Sequence, residues 1–353
     1  MTQRPGNVRS GSRSCGNDNY EIHWGNATNY ALGKEIGSGS FGEVFEGFNR
    51  ISNERVVIKV LKPTRTARIK REVSILESLR GGVHIMTLLD VVKLKHPAGP
   101  AIVCDYISST NMREFYLSLS YEEIRYYLLS LLEALRFCHS HGIMHRDVKP
   151  SNIVVNIKQK RMQLIDFGLS DYYLPGKAYQ ANVGTRYYKA PELLVGYKYY
   201  DYSVDLWSVG CMAASMLFRV AHLFKGENDT DQLNCIAEVL GTDGLYEYAK
   251  KHDIQLPANL LNSPKFYKRK EWSKFVDSAN EHLLSPGCFD FLDKMLRYDH
   301  QERMTAAEAM RHPFLSSLLE IEETSGTCSA SVSPEQHSDK NNASNRCSSV
   351  NPQ

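Results

Sequence analysis

The sequence contains one stretch in which acidic, basic and amide side chains stand at short intervals, HRDVKPSN at residues 145–152. Its carboxylate, Asp147, could accept or orient the proton of a hydroxyl group, and the ammonium of Lys149 could neutralise a negatively charged group that reacts there. Asn152 and the later Asp166 would supply hard oxygen ligands of the kind that Mg²⁺ prefers. These residue types suit transfer of a phosphoryl group, which needs alignment and positive charge more than covalent chemistry.

A glycine-rich segment, GSGSFGEV at residues 37–44, lies between two expected strands. Its glycines would let bare backbone approach a polyphosphate, and Val44 could cover a base. A hairpin turn without a ligand is the alternative for such a segment. A dinucleotide-binding fingerprint would follow a strand and open a helix, so the setting between two strands favours the other type of phosphate-covering loop.

A lysine stands in an otherwise apolar expected strand, VVIKVL at residues 56–61. An ammonium group in such a strand is costly unless it meets an anion. A surface lysine on an edge strand is the alternative, but Glu72 in the following expected helix offers a carboxylate. We therefore predict an ion pair between Lys59 and Glu72 that directs the amine toward phosphate oxygens.

The apolar periodicity changes along the chain. Short β-rich runs occur at residues 44–48, 55–61 and 88–94, with one helical stretch between them at 68–79. From residue 121 the period becomes that of helices, with later helices expected at 203–218, 230–240 and 288–297. The pattern predicts a small β-rich lobe before a larger helical lobe, an α+β architecture with a ligand cleft between the two.

Composition excludes several classes of protein. The 353 residues carry a net charge of +2 and are 42% hydrophobic, so neither global disorder nor bulk attraction to a polyanion is expected. No apolar run approaches the roughly 20 residues that cross a bilayer, and the eight cysteines form no CxxC pair, which predicts no membrane and no zinc site. Three separated arginines near the N-terminus, Arg4, Arg9 and Arg13, are not expected to bind nucleic acid. We expect a cytoplasmic protein, a nuclear one, or both, because short basic clusters are present.

Polar segments suggest how the chain is divided. Residues 1–19 and 324–353 are rich in Gly, Ser and Asn, and both are expected to be flexible tails. Between them we expect an N-terminal segment packed on the core, a small lobe, a hinge and a large lobe, at residues 20–29, 30–104, 105–111 and 112–314.

The order of these motifs, completed by Ala190-Pro191-Glu192, resembles the eukaryotic protein kinases from residue 30 to about residue 314. The resemblance implies the bilobal kinase fold, with a small antiparallel sheet and one main helix before a mainly helical lobe. It implies ATP as the phosphate donor and Mg²⁺ as the metal. It implies that the catalytic residues are Asp147, Lys149, Lys59 and Glu72. It also implies that Asn152 and Asp166 bind the metal.

The same resemblance implies the residues that contact the nucleotide, which are Ile36, Gly37, Ser38, Gly39, Ser40, Phe41, Gly42, Glu43, Val44, Val57, Lys59, Asp105, Ile107, Val154 and Ile165. It also implies structural roles. Phe167 would pack against His145, Glu192 would pair with Arg303, and Asp205 would brace the backbone under the catalytic loop.

Within the kinases, the chain is most similar to the casein kinase II catalytic subunit, in the segments HWGN, LRGG, GIMH, YDYS, VLGT and LRYDH. That family phosphorylates Ser or Thr followed by acidic residues. The similarity implies acidic protein substrates, bound here by Arg65, Arg68, Arg186 and Lys189. It further implies a regulatory beta subunit as a candidate partner, and GTP as an alternative donor.

The chain departs from that family at several positions. Thr66 and Ala67 interrupt the basic run, and Asn182 stands where the family has an arginine, so we expect softer acidic selectivity. Cys104 replaces the phenylalanine that the family carries before the hinge, which should open the back of the nucleotide pocket.

Regulation is left with two alternatives. The segment at residues 20–30 resembles the one that keeps casein kinase II active without phosphorylation, which implies constitutive activity. Arg146 could equally bind a phosphate on Thr185, Tyr179 or Tyr187.

Two rival functions remain to be separated from this one. A proline-directed kinase is the first, since GTRYYKAPE at residues 184–192 also resembles the loops of that group. A pseudokinase scaffold is the second, but the presence of Lys59, Asp147 and Asp166 speaks against it.

Overall fold

The computed structural model of the protein describes residues 20–39, 41–108, 115–256 and 266–316. The predicted tails at residues 1–19 and 324–353, together with Ser40 and the last part of the expected hinge, lie outside the described residues.

The N-terminal part forms an antiparallel sheet of five strands in the order β1-β2-β3-β5-β4. The strands are β1 Tyr30–Ser38, β2 Gly42–Asn49, β3 Glu54–Leu61, β4 Leu88–Lys95 and β5 Ala98–Asp105. The predicted runs at 44–48, 55–61 and 88–94 lie within β2, β3 and β4. The strand expected before the glycine-rich segment, for which no bounds were given, is β1. Strand β5 was not predicted, because a glycine and a proline stand near its start.

Strand β3 explains how a lysine reaches the cleft. Val56, Ile58 and Val60 are buried on one face of the sheet, in a cluster with residues of β4 and β5. Side chains alternate along a strand, so Val57 and Lys59 emerge on the opposite face. In the β2–β3 pairing Val44 lies opposite Lys59, which places the end of the glycine-rich hairpin beside the amine.

The helix of the small lobe, α1 Thr66–Ser78, has no side-chain cap from Arg65 and no acidic residue in its first turn. Its basic first turn opposes the helix dipole, so packing must hold it. Val73, Ile75 and Leu76 are buried in the main core, and the same face carries the buried Glu72 toward β3.

The larger lobe is mostly helical. Its helices are α2 Tyr121–Ser140, α3 Pro191–Leu194, α4 Ser203–Leu217, α5 Asp229–Leu240, α6 Asp243–Lys251, α7 Pro286–Met295 and α8 Ala306–Met310. Short 3-10 turns lie at Ala27–Asn29, Pro150–Asn152, Phe167–Leu169, Arg186–Tyr188, Trp272–Phe275, Glu281–Leu283 and His300–Glu302. The helices predicted at 203–218, 230–240 and 288–297 correspond to α4, α5 and α7.

Helix α4 is the centre of this lobe. All of its residues are buried, including Asp205 and three serines among mostly apolar side chains. Helix α2 packs beside it and begins with a capping box in which Ser120 and Glu123 bond each other's backbone amides. Among the described residues no helix is both long and apolar enough to cross a bilayer.

Two small two-stranded sheets flank the polar motifs of the large lobe. Strand β6 Ile143–Met144 pairs with β9 Asp171–Tyr172, and β7 Ile153–Asn156 pairs with β8 Arg161–Leu164. The peptide groups of Leu164 bond to the backbone of His84 and Met86, which joins the small lobe to the β7–β8 hairpin. The predicted two-lobed α+β fold is confirmed.

Candidate active site

The cleft between the lobes contains an ion cluster centred on Lys59. Its Nζ lies 2.8 Å from Glu72 Oε1 on α1 and 2.7 Å from Asp166 Oδ1 after β8. Burial by itself would lower the pKa of Lys59, but the two carboxylates outweigh it and hold that pKa above its usual value. The predicted Lys59–Glu72 ion pair is therefore present, with a charged amine at its centre.

Asp166 has an unusual backbone. Its φ of 62° lies in the left-handed region, and its side chain caps the following 3-10 turn by accepting from the Gly168 amide. Such a conformation is uncommon for a non-glycine residue and persists where the surroundings enforce it. Burial would raise the pKa of Asp166, but Lys59 holds it below the usual value, so the carboxylate is charged. Oδ1 is engaged by Lys59, which leaves Oδ2 available to a cation.

The second cluster is built on the catalytic-loop motif. Asp147 is buried, and its Oδ2 lies 2.8 Å from Lys149 Nζ and 3.1 Å from Asn152 Nδ2. Asn152 Nδ2 also donates to the Asp147 carbonyl at 2.9 Å. Because the amide nitrogen of Asn152 is used in this way, its Oδ1 is the atom left to hold a metal ion.

Thr185 completes this cluster. Its hydroxyl donates to Asp147 Oδ1 at 2.7 Å and accepts from Lys149 Nζ at 2.8 Å. From the sequence, Thr185 is a candidate only for phosphorylation. No local pattern signals the contact, because the residue joins Asp147 across a separation of 38 positions.

The catalytic loop is held from beneath by Asp205 of α4. Its two carboxylate oxygens accept the backbone amides of Arg146 and His145 at 2.7 and 2.9 Å, as the predicted brace requires. Burial would raise the pKa of Asp205, but hydrogen bonding with His139 contributes most to holding it below the usual value. The ring of Phe167 packs edge-on against His145 at 4.9 Å, in the predicted structural role.

Comparison with known families decides the class of protein. Residues 30–315 match the family model of the protein kinase domain. The chain belongs to the protein kinase family. It is therefore a phosphotransferase that acts on protein substrates, and members of the family use ATP and Mg²⁺.

The glycine-rich hairpin of the kinase depends on one glycine for its geometry. A Cβ on Gly42 would lie 2.3 Å from the carbonyl oxygen of Val60, so no other residue fits beside β3. At Gly37 and Gly39 an added Cβ would have no atom within 4 Å, so these two glycines border open space. Lys62 donates to the Gly39 carbonyl at 2.8 Å, which ties the loop to the end of β3.

The remaining residues predicted to contact the nucleotide are spread over both walls of the cleft, with Ser40 outside the described residues. The small lobe carries Ile36 and Ser38 on β1, Phe41 before β2, Glu43 and Val44 on β2, and Val57 on β3. The junction and the large lobe carry Asp105, Ile107, Val154 and Ile165. The Asp105 carboxylate accepts from the Thr87 amide and from Gln163, so its side chain fixes the lobe junction.

The four basic residues predicted to bind substrate do not form one group. Arg65 is exposed at the start of α1. Arg68 lies with its guanidinium 4.1 Å from the Phe41 ring and donates to the Gly168 carbonyl. Arg186 and Lys189 belong to the large lobe, where both lie against Asp229.

Arg146 is occupied by groups of the protein itself. Its guanidinium donates to the Leu169 carbonyl at 2.7 Å and to the Tyr200 hydroxyl at 3.1 Å, and it lies 3.3 Å from Asp171. Of the three phosphorylation candidates, Thr185 contacts Asp147, and Tyr179 is buried with its hydroxyl bonded to the Tyr172 carbonyl. Within the described residues the Arg146 guanidinium is therefore bound by groups of the protein itself and is not held ready for a phosphate.

Replacing Thr185 by Val should lower kcat roughly 10- to 100-fold, because one hydrogen bond to a charged pair is worth about 1.5–3 kcal/mol. Thr185→Ser keeps the hydroxyl and should retain most of the activity. Steady-state kinetics on both variants test this, with KM for ATP expected to stay constant. Equal activity in Thr185→Val and wild type would show that the hydroxyl does not position Asp147.

Proposed function

We propose that this kinase transfers the γ-phosphate of ATP to Ser or Thr hydroxyls near acidic residues, as a constitutively active enzyme similar to casein kinase II. The observation that carries the proposal is the contact of Asp147 with a threonine hydroxyl and with Lys149. A substrate hydroxyl at the same carboxylate would give up or share its proton there, and Lys149 would face the phosphoryl group that it attacks.

The nucleotide would lie beneath the glycine-rich hairpin, with the base between Val44 and Val57 above and Val154 and Ile165 below. Lys59 would bind the α- and β-phosphates, because Glu72 and Asp166 hold its charged amine in the cleft. The oxygens left on Asn152 and Asp166 fit the preference of Mg²⁺ for hard ligands. When bound, Mg²⁺ would neutralise charge on the phosphates.

Activity without loop phosphorylation is supported by two sets of contacts. Arg146 already bonds Asp171 and Tyr200, and the Lys59–Glu72 pair is formed. The N-terminal segment adds to this order, since Tyr20 donates to Glu77 at the end of α1 at 2.7 Å. A phosphate on Thr185 would instead be repelled by the Asp147 carboxylate.

Selectivity for acidic substrates is supported by the start of α1. Among the described residues the side chains of Arg65 and Lys70 have no hydrogen-bond or ion-pair partner. Arg65 is exposed immediately before α1, and Lys70 is half-buried in its second turn. Each charge-assisted contact to a substrate carboxylate would contribute roughly 1.5–3 kcal/mol.

The proposal is tested by transfer from ATP·Mg²⁺ to two serine peptides, one with acidic residues after the serine and one with proline there. The kinase is used unphosphorylated, as checked by intact mass. We expect at least a tenfold higher kcat/KM for the acidic peptide, corresponding to about 1.4 kcal/mol. Preference for the proline peptide would instead assign the protein to the proline-directed group, and no transfer to either would overturn constitutive activity.

A further inference from the structure

The first residue of helix α5, Asp229, lies against both basic residues of the segment before α3. Its Oδ2 is 2.9 Å from Lys189 Nζ, and its Oδ1 is 3.8 Å from Arg186 Nε. Asn182 approaches the same ammonium at 3.4 Å but brings no charge. Two cations and one carboxylate therefore meet at this point of the large lobe.

This cluster lies next to the catalytic centre. Thr185, whose hydroxyl donates to Asp147 Oδ1 at 2.7 Å, directly precedes Arg186, and Lys189 follows three residues after Arg186. A substrate hydroxyl must reach Asp147, and an extended chain advances about 3.3 Å per residue. The residue next to the phosphoacceptor would thus pass the segment that follows Thr185, which begins with Arg186.

The burial of Lys189 makes the carboxylate important, whereas the Arg186 side chain is 41% exposed. The Lys189 side chain is only 6% exposed, so its charge needs a partner within contact distance. Arg186 Nε is buried and has no hydrogen-bond partner among the described residues, so this guanidinium is only loosely satisfied. Asp229 is 43% exposed and could be replaced by a carboxylate from solvent.

We propose that Asp229 acts as an internal acidic ligand that occupies Lys189 and Arg186 in place of a substrate carboxylate. The inference rests on the proposed function and refines its substrate class. The kinase then selects weakly for acid at the position directly after the phosphoacceptor. Acidic preference comes from more distant positions, through Arg65 and Lys70 on α1.

The test uses Asp229→Asn, which removes the charge and keeps a hydrogen-bond acceptor for Lys189. Two peptides carry Asp or Asn directly after the serine and share the same acidic residues from the third position onward. In wild type the ratio of their kcat/KM values should stay within about twofold, and in Asp229→Asn it should rise about tenfold. Glu227→Gln is the matched control, since Glu227 is exposed beside α5 and should leave the ratio at its wild-type value.

A second variant approaches the same cluster from the other side. Asn182→Arg adds a third cation beside Asp229, so it too should raise the ratio for the Asp peptide while Asp229 stays in place. Thermal unfolding of every variant shows whether the fold is kept. If Asp229→Asn does not fold, the kcat/KM ratio measured in Asn182→Arg tests the role of Asp229 by itself.

Binding separates this inference from the proposed function. Fluorescence-labelled versions of the two peptides, with Ala in place of the serine, report affinity without any phosphate transfer. A Kd ratio that is the same in wild type, Asp229→Asn and Asn182→Arg would overturn the role of Asp229, as would a wild-type enzyme that already prefers Asp tenfold at this position. Failure of the proposed function would appear separately, as absent transfer to serine peptides that still bind.

Discussion

Asp147→Asn should lower kcat by roughly 10²- to 10⁴-fold, the range expected when a positioned general base is removed. The carboxamide cannot take up a proton from the substrate hydroxyl. It also loses the charge that pairs with Lys149 at 2.8 Å and the strong acceptor for Thr185 at 2.7 Å. Steady-state transfer to a serine peptide measures the loss.

ATP binding should change little in this variant, because Lys59 and Asp166 belong to a separate cluster of contacts and Asn152 keeps its bond to the backbone carbonyl of residue 147. A KM for ATP within about twofold of wild type would show this. Asp253→Asn is the matched control: it makes the same chemical change at an exposed residue whose φ of 52° suits asparagine. Retention of more than a tenth of wild-type kcat in Asp147→Asn would exclude Asp147 as the base.

Glu192→Ala should destabilise the protein by about 3–5 kcal/mol, because it leaves a guanidinium buried without its counter-ion. Arg303 Nη1 and Nη2 each lie 2.6 Å from a Glu192 oxygen, and both side chains are completely buried. Burial would lower the pKa of Arg303, but Glu192 holds it above the usual value in the wild type. In the variant the guanidinium still keeps its charge, because arginine is not deprotonated in proteins.

The measurement is urea unfolding followed by fluorescence, with the free energy of unfolding extrapolated to water. Lys294→Ala is the control, since it breaks an exposed ion pair with Asp290 one helical turn away and should change stability by less than about 0.5 kcal/mol. A loss of less than about 1 kcal/mol in Glu192→Ala would mean that the pair adds little and that the lobe is held by its apolar core.

The Glu192–Arg303 ion pair also supports the active site through helix α4. Arg303 donates to the carbonyl of Ser203 at the start of α4, the helix that carries Asp205 beneath the catalytic loop. The residues of this pair are separated by 111 positions, so it links α3 to the segment before α8. Breaking it should loosen the support of the catalytic loop as well as the fold.

The residues that do local chemistry could be predicted from the sequence. The types and order of Asp147, Lys149, Asn152 and Asp166 are sufficient to indicate phosphoryl transfer. The pairing of Lys59 was predicted because an ammonium in an apolar strand needs an anion, which Glu72 supplies. Helix α4 was predicted from the helical period of its apolar residues.

Short-range patterns did not give the bounds of the elements that rely on tertiary contacts. Strand β1 carries mostly exposed, mixed residues and is defined by its pairing with β2. Helix α1 begins two residues before its prediction, at Thr66, without a capping side chain, because its buried face and not its terminus holds it.

The sequence by itself determined the family, the catalytic residue types and the main helices, because these depend on local order, spacing and periodicity. Only the tertiary structure decided which charges meet. Thr185 reaches Asp147 and Asp229 reaches Lys189 across 38 and 40 positions, and no local pattern encodes either contact. The physical reason is that the energy of an ion pair depends on distance and burial, and the packing of loops against helices sets both.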